Sequence, residues 1–206
     1  RRLYKEALSL GPEVVGLSVA TRPDALPEDV LEYLGELNQR TFLTVELGLQ
    51  TIHQKTADFI NRKHSLADFT EAVTKLRRRN IHVIAHIINS LPGETEEMML
   101  ETVKFLNGID IQGIKIHMLY VMKGTKLADL YLGGEIKLLS LGEYVSITSS
   151  QIVHMRPDII IYRLTGDCPR NELVAPDWTL KKFVVTNEID KLLRKNSLFQ
   201  GASYIP

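Results

Sequence analysis

The sequence predicts an α/β fold whose parallel strands form part of a barrel, and three observations predict it. A strand–loop–helix unit repeats along the chain with crossovers long enough for parallel pairing. Within Thr41–Gln50, the residues Thr44, Glu46, Gly48 and Gln50 alternate with Val45, Leu47 and Leu49, the two-residue period of a strand with one apolar face. The polar face also recurs, because Ser18, Glu46, Gln50, His82, His86, Lys115 and His117, with Arg163, fall on one side. Five strands in 206 residues also suit an open doubly wound sheet. Helices cover both faces of such a sheet, however, and should leave both apolar. A row of charged and imidazole groups implies a lumen wide enough for water or ligand, hence an incomplete barrel open along one side.

Each element has its local cause. Leu3, Ala7 and Leu8 make a short apolar helical stripe before Gly11-Pro12 breaks it. Val14 to Ala20 alternates large Val15, Leu17 and Val19 with small Gly16, Ser18 and Ala20, and so predicts a strand. Pro27 to Leu37 reads as a helix, with proline in its first turn and Glu28 and Asp29 suiting its N-terminus. After the strand 41–50 come a short helix to about Ile60, a turn at Asn61–His64, and a helix Leu66–Arg79 with Ser65 as its N-cap. Ile81–Ile88 is a strand, ended by Asn89-Ser90-Leu91-Pro92-Gly93, and Glu94–Asn107 a helix with Thr95 as cap or first-turn residue. Gln112–Tyr120 is the next strand, followed by a short helix to Tyr131 that Gly133-Gly134 stops. Leu141–Met155 is helical, Ile159–Leu164 is the fifth strand, and Trp178–Lys195 is the last long helix, with Trp178, Phe183 and Val184 on its apolar face. Residues 1–197 are expected to form the barrel portion and 198–206 a tail or docking arm.

Bulk properties narrow the function classes. Lys plus Arg and Asp plus Glu are both 25, so the balance gives no global support for nucleic-acid or membrane binding. Arg77-Arg78-Arg79 with Lys75 makes a local basic helix end, which equally suits the helix dipole. No stretch reaches transmembrane length or resembles a signal peptide. Cys168 is the only cysteine, which excludes an internal disulfide and any site built from several thiolates of this chain. That fits a reducing cytoplasm, the expected location. The chain opens RRLYKEALSLGPE, without a starting Met and already in helical pattern, as expected of a piece of a longer protein.

Five segments, in order, carry a resemblance: SVATRPDALP, VELGLQT, INRKHSLADFTEAV, HIINSLPGET and IHMLYVMKGTKLADLY. Through them the chain resembles the radical S-adenosylmethionine (radical SAM) superfamily, and within it the bacterial YtqA/YhcC-like iron-sulfur oxidoreductase group. It is more distantly similar to the radical SAM domains of Elongator catalytic subunits and of oxygen-independent coproporphyrinogen oxidases. The resemblance implies the later strands of a six-stranded (β/α)6 partial barrel. In the family a CxxxCxxC loop after the first strand holds three irons of a [4Fe-4S] cluster, and the fourth iron takes the amino and carboxylate groups of SAM. That loop and the early strands are absent from this sequence, so the cluster ligands are absent too, and the fragment alone is expected to be inactive. The parent is expected to cleave SAM reductively, with a reductant such as flavodoxin or ferredoxin, and to abstract hydrogen from an unknown small-molecule or RNA substrate. The alternatives are an RNA-binding or tRNA-modifying protein and a catalytically silent binding module. The exposed edge where earlier strands belong favours pairing between fragments, hence a possible homodimer.

Candidate site residues follow from face and resemblance together. In relatives the segment matching Gly48-Leu49-Gln50 lines the SAM pocket, so Gly48 would admit the cofactor closely and Gln50 would hydrogen-bond near it. The bland alternative is a glycine relieving crowding and a glutamine capping a loop. Arg62 matches the family arginine that reaches the SAM carboxylate, or else belongs to a solvated basic turn with Lys63 and His64. His86 stands where relatives carry an aspartate for the ribose, and Asn89 opens a turn whose backbone would meet adenine. Glu46, a carboxylate that needs a partner on this face, is either paired structurally with His82, His86 or Lys115 or lies under the substrate. Lys115, His117, Lys123 and Thr125 are the other substrate candidates, ringing the opening. Arg22 and Asp24, where relatives of the Elongator type read ETRPD, form either an ion pair or part of the mouth. No metal site is expected from this chain: His82 and His86, four strand residues apart, stand about 13 Å from each other. Cys168 is either a hydrogen-atom donor or a packed loop thiol.

Overall fold

The computed structural model describes residues 2–205. Five strands, β1 (Gly16–Thr21), β2 (Phe42–Gln50), β3 (His82–Asn89), β4 (Gly113–Met118) and β6 (Ile160–Arg163), form one parallel sheet in the order β1-β2-β3-β4-β6. Between them run α1 (Arg2–Leu8), which precedes β1, then α2 (Glu28–Asn38), α3 (Gln54–Phe59), α4 (Leu66–Arg77), α5 (Glu96–Asn107), α6 (Lys126–Leu132) and α7 (Leu141–His154); α8 (Lys182–Lys195) follows the sheet. Successive strands are neighbours without a reversal of order, so right-handed crossovers place the helices on one side. A doubly wound sheet would need a switch point, and none occurs among the described residues. The parallel α/β architecture is as expected. β1 and β6 end the sheet among the described residues.

Strand alternation divides the wall. Val19, Leu43, Val45, Leu47, Leu49, Val83, Ala85, Ile87, Ile114 and Ile116 are buried under Leu31, Leu34, Phe69, Val73, Leu76, Val103 and Leu106 of the helices. Burying each such side chain contributes roughly 1.5–3 kcal/mol. A second cluster packs Met118, Tyr144, Val145 and Ile152 against Val185 and Ile189 of α8.

Capping explains the boundaries. Ser65 and Asp68 form a reciprocal capping box at α4, Ser140 and Glu143 another at α7, and Thr95 accepts from Met98 N–H at α5. α3 ends in a Schellman motif: Asn61 is left-handed (φ 57°), Asn61 N–H donates to Asp58 O and Arg62 N–H to Ala57 O (3.0 and 2.8 Å).

Two features depart from the expected pattern. A small antiparallel ribbon joins β5 (Val121–Met122) to β7 (Leu173–Ala175), strands too short to carry a periodic signal. The last helix begins at Lys182, not Trp178, because residues 177–180 form a separate 3-10 turn. That offset rotates Phe183 to 86% and Val184 to 41% exposure, so the buried face of α8 is Val185 and Ile189 instead. Trp178 packs on Tyr144 (ring centroids 5.2 Å) and donates to Leu139 O (3.1 Å). Residues after Leu198 return to the body: Gly201 N–H donates to Ile152 O, Ser203 N–H to Val153 O, and Gln200 Nε2 to Ile159 O (3.2, 2.9 and 2.7 Å).

Candidate functional site

The uncovered face of the sheet carries one connected polar cluster, with Glu46 at its centre. Ser18 Oγ donates to Glu46 Oε1 (2.7 Å), while Lys115 Nζ donates to Oε2 (2.5 Å) and His86 Nε2 lies 2.6 Å from the same oxygen. Strand register brings them together: His86 sits opposite both Gly48 of β2 and Lys115 of β4. The side chains of Glu46, Lys115 and His86 are only 13%, 17% and 24% exposed, so this is a largely buried network. The His117 ring lies 5.1 Å from that of His86, and its Nε2 is buried without a hydrogen-bond partner.

Electrostatics follow from this packing. Burial alone would raise the Glu46 carboxyl, but Lys115, Ser18 and His86 outweigh it and hold it down at about 2. Burial pushes the His86 imidazole down despite its bond to Glu46. Burial, with His86, Arg163 and Lys115 nearby, pushes His117 to about 4. At neutral pH this face thus holds the Glu46 carboxylate beside two uncharged imidazoles.

The sign of the pH dependence is fixed by these shifts. A His117 pKa near 4 in the folded state against about 6.5 unfolded means that the unfolded chain binds more protons between those values. Stability is therefore lost as pH falls from about 6.5 to 4, on the order of 2 kcal/mol after allowance for partial exposure, and the Glu46 contribution is lost further down, from about 4.5 toward 2. Urea unfolding between pH 7.5 and 4 is expected to show a flatter limb in His117→Phe than in the unsubstituted protein; parallel limbs would contradict the burial of this ring.

At the C-terminal end of β2 the backbone itself is unusual. Gln50 is left-handed (φ 61°), Thr51 N–H closes a bond to Leu49 O (2.8 Å), and the pairing with β3 shifts register between Gly48 and Gln50. The Gln50 amide folds back over Gly48, where a Cβ would collide with its Nε2. Arg62 donates from Nη1 to Leu49 O (2.7 Å) and Thr51 O (2.5 Å) and from Nε to His64 O (3.0 Å), while its Nη2 is buried and unpartnered.

The other sequence candidates lie elsewhere. Asn89 belongs to the helix-facing parity of β3 and exchanges hydrogen bonds with Gln151 of α7 (2.7 and 2.9 Å), so its buried amide does not face the lumen. Lys123 Nζ donates to Asn171 O (2.8 Å) beside the β5–β7 ribbon, and Thr125 is the N-cap of α6. His82 stays outside the Glu46 cluster, edge-on to Phe42 (5.0 Å). Arg22 and Asp24 form a two-bond ion pair (2.9 and 2.5 Å) at the mouth. Cys168 sits in the loop after β6, where burial raises its thiol. Of the basic helix end, Lys75 pairs with Glu71, Arg77 with Asp110 and Arg79 with Glu28, so three of its four charges are matched within the chain. Sequence reasoning missed Glu94: its Oε1 is buried without a partner, and burial raises its carboxyl although the Thr51 and Thr56 hydroxyls bond to it.

Gly48's open backbone, the Gln50 amide, which makes no hydrogen bond within the described residues, and the unpartnered His117 nitrogen suit a polar organic ligand. An iron–sulfur cluster has no seat on this chain, which has one cysteine; among the described residues no three His, Cys, Asp or Glu side chains are placed to hold a metal ion.

A parallel α/β sheet with its helices on one face and a connected polar cluster on the other defines the class of fold. The chain belongs to the radical SAM superfamily: the family model of that name matches residues 1–106, and the Radical_SAM C-terminal domain matches residues 111–195. Members of that family bind SAM and a [4Fe-4S] cluster, and the cluster-binding cysteines are not evident here. The chain is 45% identical to the uncharacterized protein YtqA of Bacillus subtilis, over 98% of its own length and 62% of that protein. It is 33% identical to protein YhcC of Escherichia coli K12, over 98% of its own length and 65% of that protein. The chain thus spans under two thirds of these relatives. Elp3 from Methanocaldococcus infernus shares the fold, with a TM-score of 0.78 and 24% identity over 90% of this chain and 43% of that one. Four of the five segments that carried the resemblance include the C-terminal end of a strand, and the fifth, residues 60–73, spans the turn from α3 into α4.

Proposed function

We propose that the whole protein carrying this chain is a radical SAM enzyme, and that the face centred on Glu46 and Gln50 holds SAM and, beside it, an organic substrate. The observation that carries this reading is the hydrogen-bonded Ser18–Glu46–His86–Lys115 cluster, partly buried, on the strand face that ends in the strained Gln50 turn. A polar lumen with matched charges costs stability relative to an apolar one and is retained where a ligand uses it. SAM, when bound at a reduced cluster held by another part of the protein, supplies the hydrogen-abstracting chemistry. This chain's own part is to bind, orient and exclude water. Gly48 admits the ligand to the backbone, Gln50 offers an amide that both donates and accepts, and neutral His86 bonds one polar group of the ligand. Lys115, level with His86, and His117, two residues nearer the C-terminal end of β4, face the substrate side. Lys123, Thr125 and Asn89 have structural partners and are left out of this assignment. One cysteine and an oxygen-sensitive cofactor suit a reducing cytoplasm.

The test is on the intact protein, purified without oxygen and with its cluster reconstituted. Incubated with SAM and a strong reductant, it is expected to form 5'-deoxyadenosine, detected by mass spectrometry. No product despite an intact, reducible cluster and bound SAM, with candidate substrates supplied, would move the reading to a binding module.

A further inference from the structure

Arg62 is placed with unusual care for a residue of a surface turn. The Schellman motif that ends α3 fixes its backbone through Arg62 N–H to Ala57 O (2.8 Å), and its side chain then runs back to the end of β2. There it meets the three-residue turn centred on Gln50, closed by Thr51 N–H to Leu49 O (2.8 Å) with Gln50 at φ 61°. This is the γ-turn form with positive φ at the centre, which is rare and strained for a residue with a side chain. The turn leaves the Leu49 and Thr51 carbonyls directed to one point, and Arg62 Nη1 donates to both (2.7 and 2.5 Å). Nε is taken by His64 O (3.0 Å), and Nη2 is sealed from solvent. Thr51 itself is fully buried, and its hydroxyl accepts from His53 N–H (3.1 Å), so the far side of the turn is tied down as well.

We propose that Arg62 is a positioning residue: it clamps the carbonyls on either side of Gln50, holds the strained turn, and thereby sets the pose of the Gln50 amide over Gly48. A guanidinium that recognised a ligand carboxylate would turn its fork outward. Here Nη1 and Nε are used by the backbone, and the one nitrogen left over is buried. The clamp stands on geometry alone, while its consequence for SAM rests on the function proposed above.

Two readouts on the intact protein test it. Without ligand, Arg62→Ala is expected to speed hydrogen exchange at the Thr51 amide by about 10- to 100-fold, whereas Arg62→Lys, whose ammonium can donate to two carbonyls, keeps most of the protection. With SAM, Arg62→Ala and Gln50→Ala are each expected to weaken binding about tenfold, and the double variant no more than the weaker single one, because both act through the same amide. Multiplicative losses would overturn the proposal, as would unchanged exchange at Thr51 in Arg62→Ala. If Arg62→Ala does not fold, Arg62→Lys decides: preserved Thr51 protection with SAM affinity within about threefold supports the clamp, and preserved protection with a loss beyond tenfold assigns the fork to the ligand. If the unsubstituted protein binds no SAM, the proposed function falls, and the exchange arm still decides the clamp.

Discussion

Replacing Glu46 by leucine is expected to destabilise the fold by about 2–3 kcal/mol, less than the roughly 3–5 kcal/mol of a fully buried ion pair because both side chains keep some solvent contact. The magnitude follows from what is left behind. Lys115 keeps its charge at 17% exposure with no counter-ion, Ser18 loses its acceptor, and His86 loses the bond that fixes its ring. Glu46→Gln, which keeps an acceptor but not the charge, is expected to cost less. The pairing predicts a further result: Glu46→Leu combined with Lys115→Met should be milder than Glu46→Leu alone, since no buried charge is stranded. Urea unfolding at pH 7 measures all of these. A loss under 1 kcal/mol in Glu46→Leu would mean that solvent reaches the cluster freely and that the pair behaves like a surface one.

Gly48→Val is expected to produce the largest functional loss with the least structural one. A Cβ at this position meets the end of the Gln50 side chain and not backbone, so the strand can keep its course while the amide is displaced. Valine is also well suited to a strand. Thermal stability should therefore stay within about 1 kcal/mol, while SAM affinity of the intact protein falls on the order of 100-fold: about tenfold from the displaced amide, and the rest because the valine side chain fills the place where the ligand would meet the Gly48 backbone. Equilibrium binding and thermal unfolding on the same preparations separate the two effects. Unchanged affinity would remove Gly48 and Gln50 from the ligand site.

The sheet was legible because its strands alternate so regularly: Val45, Leu47 and Leu49 against Glu46, Gly48 and Gln50 give both the element and its faces. The ribbon of residues 121–122 with 173–175 was not, since two or three residues carry no period. The need of Glu46 for a partner could be read from the sequence, and His86 and Lys115 were among those named. The choice between His82 and His86 depends on strand register, which only pairing fixes. Asn89 shows the reverse case. Its parity in β3 differs from that of His82 and His86, so the alternation already placed it with Ala85 and Ile87 on the helix side, where Gln151 receives it. Lys123 and Thr125 lie beyond the end of β4, where no periodicity reports direction. The strained Gln50 turn and its Arg62 clamp depend on a left-handed Asn61 and on two carbonyls converging, and neither is encoded in a local residue pattern.

The central claim is the location of the ligand, and the most direct measurement is an experimental structure of the intact protein, cluster in place, with SAM bound. The account predicts SAM against Gly48 and the Gln50 amide, with His86 within hydrogen-bond distance of it and Arg62 still donating to the Leu49 and Thr51 carbonyls. SAM seated away from the Gly48–Gln50 segment, for example in the cleft of about 640 Å3 between Pro92, Glu94 and Leu139 on the outer side of the β3–α5 loop, would contradict it.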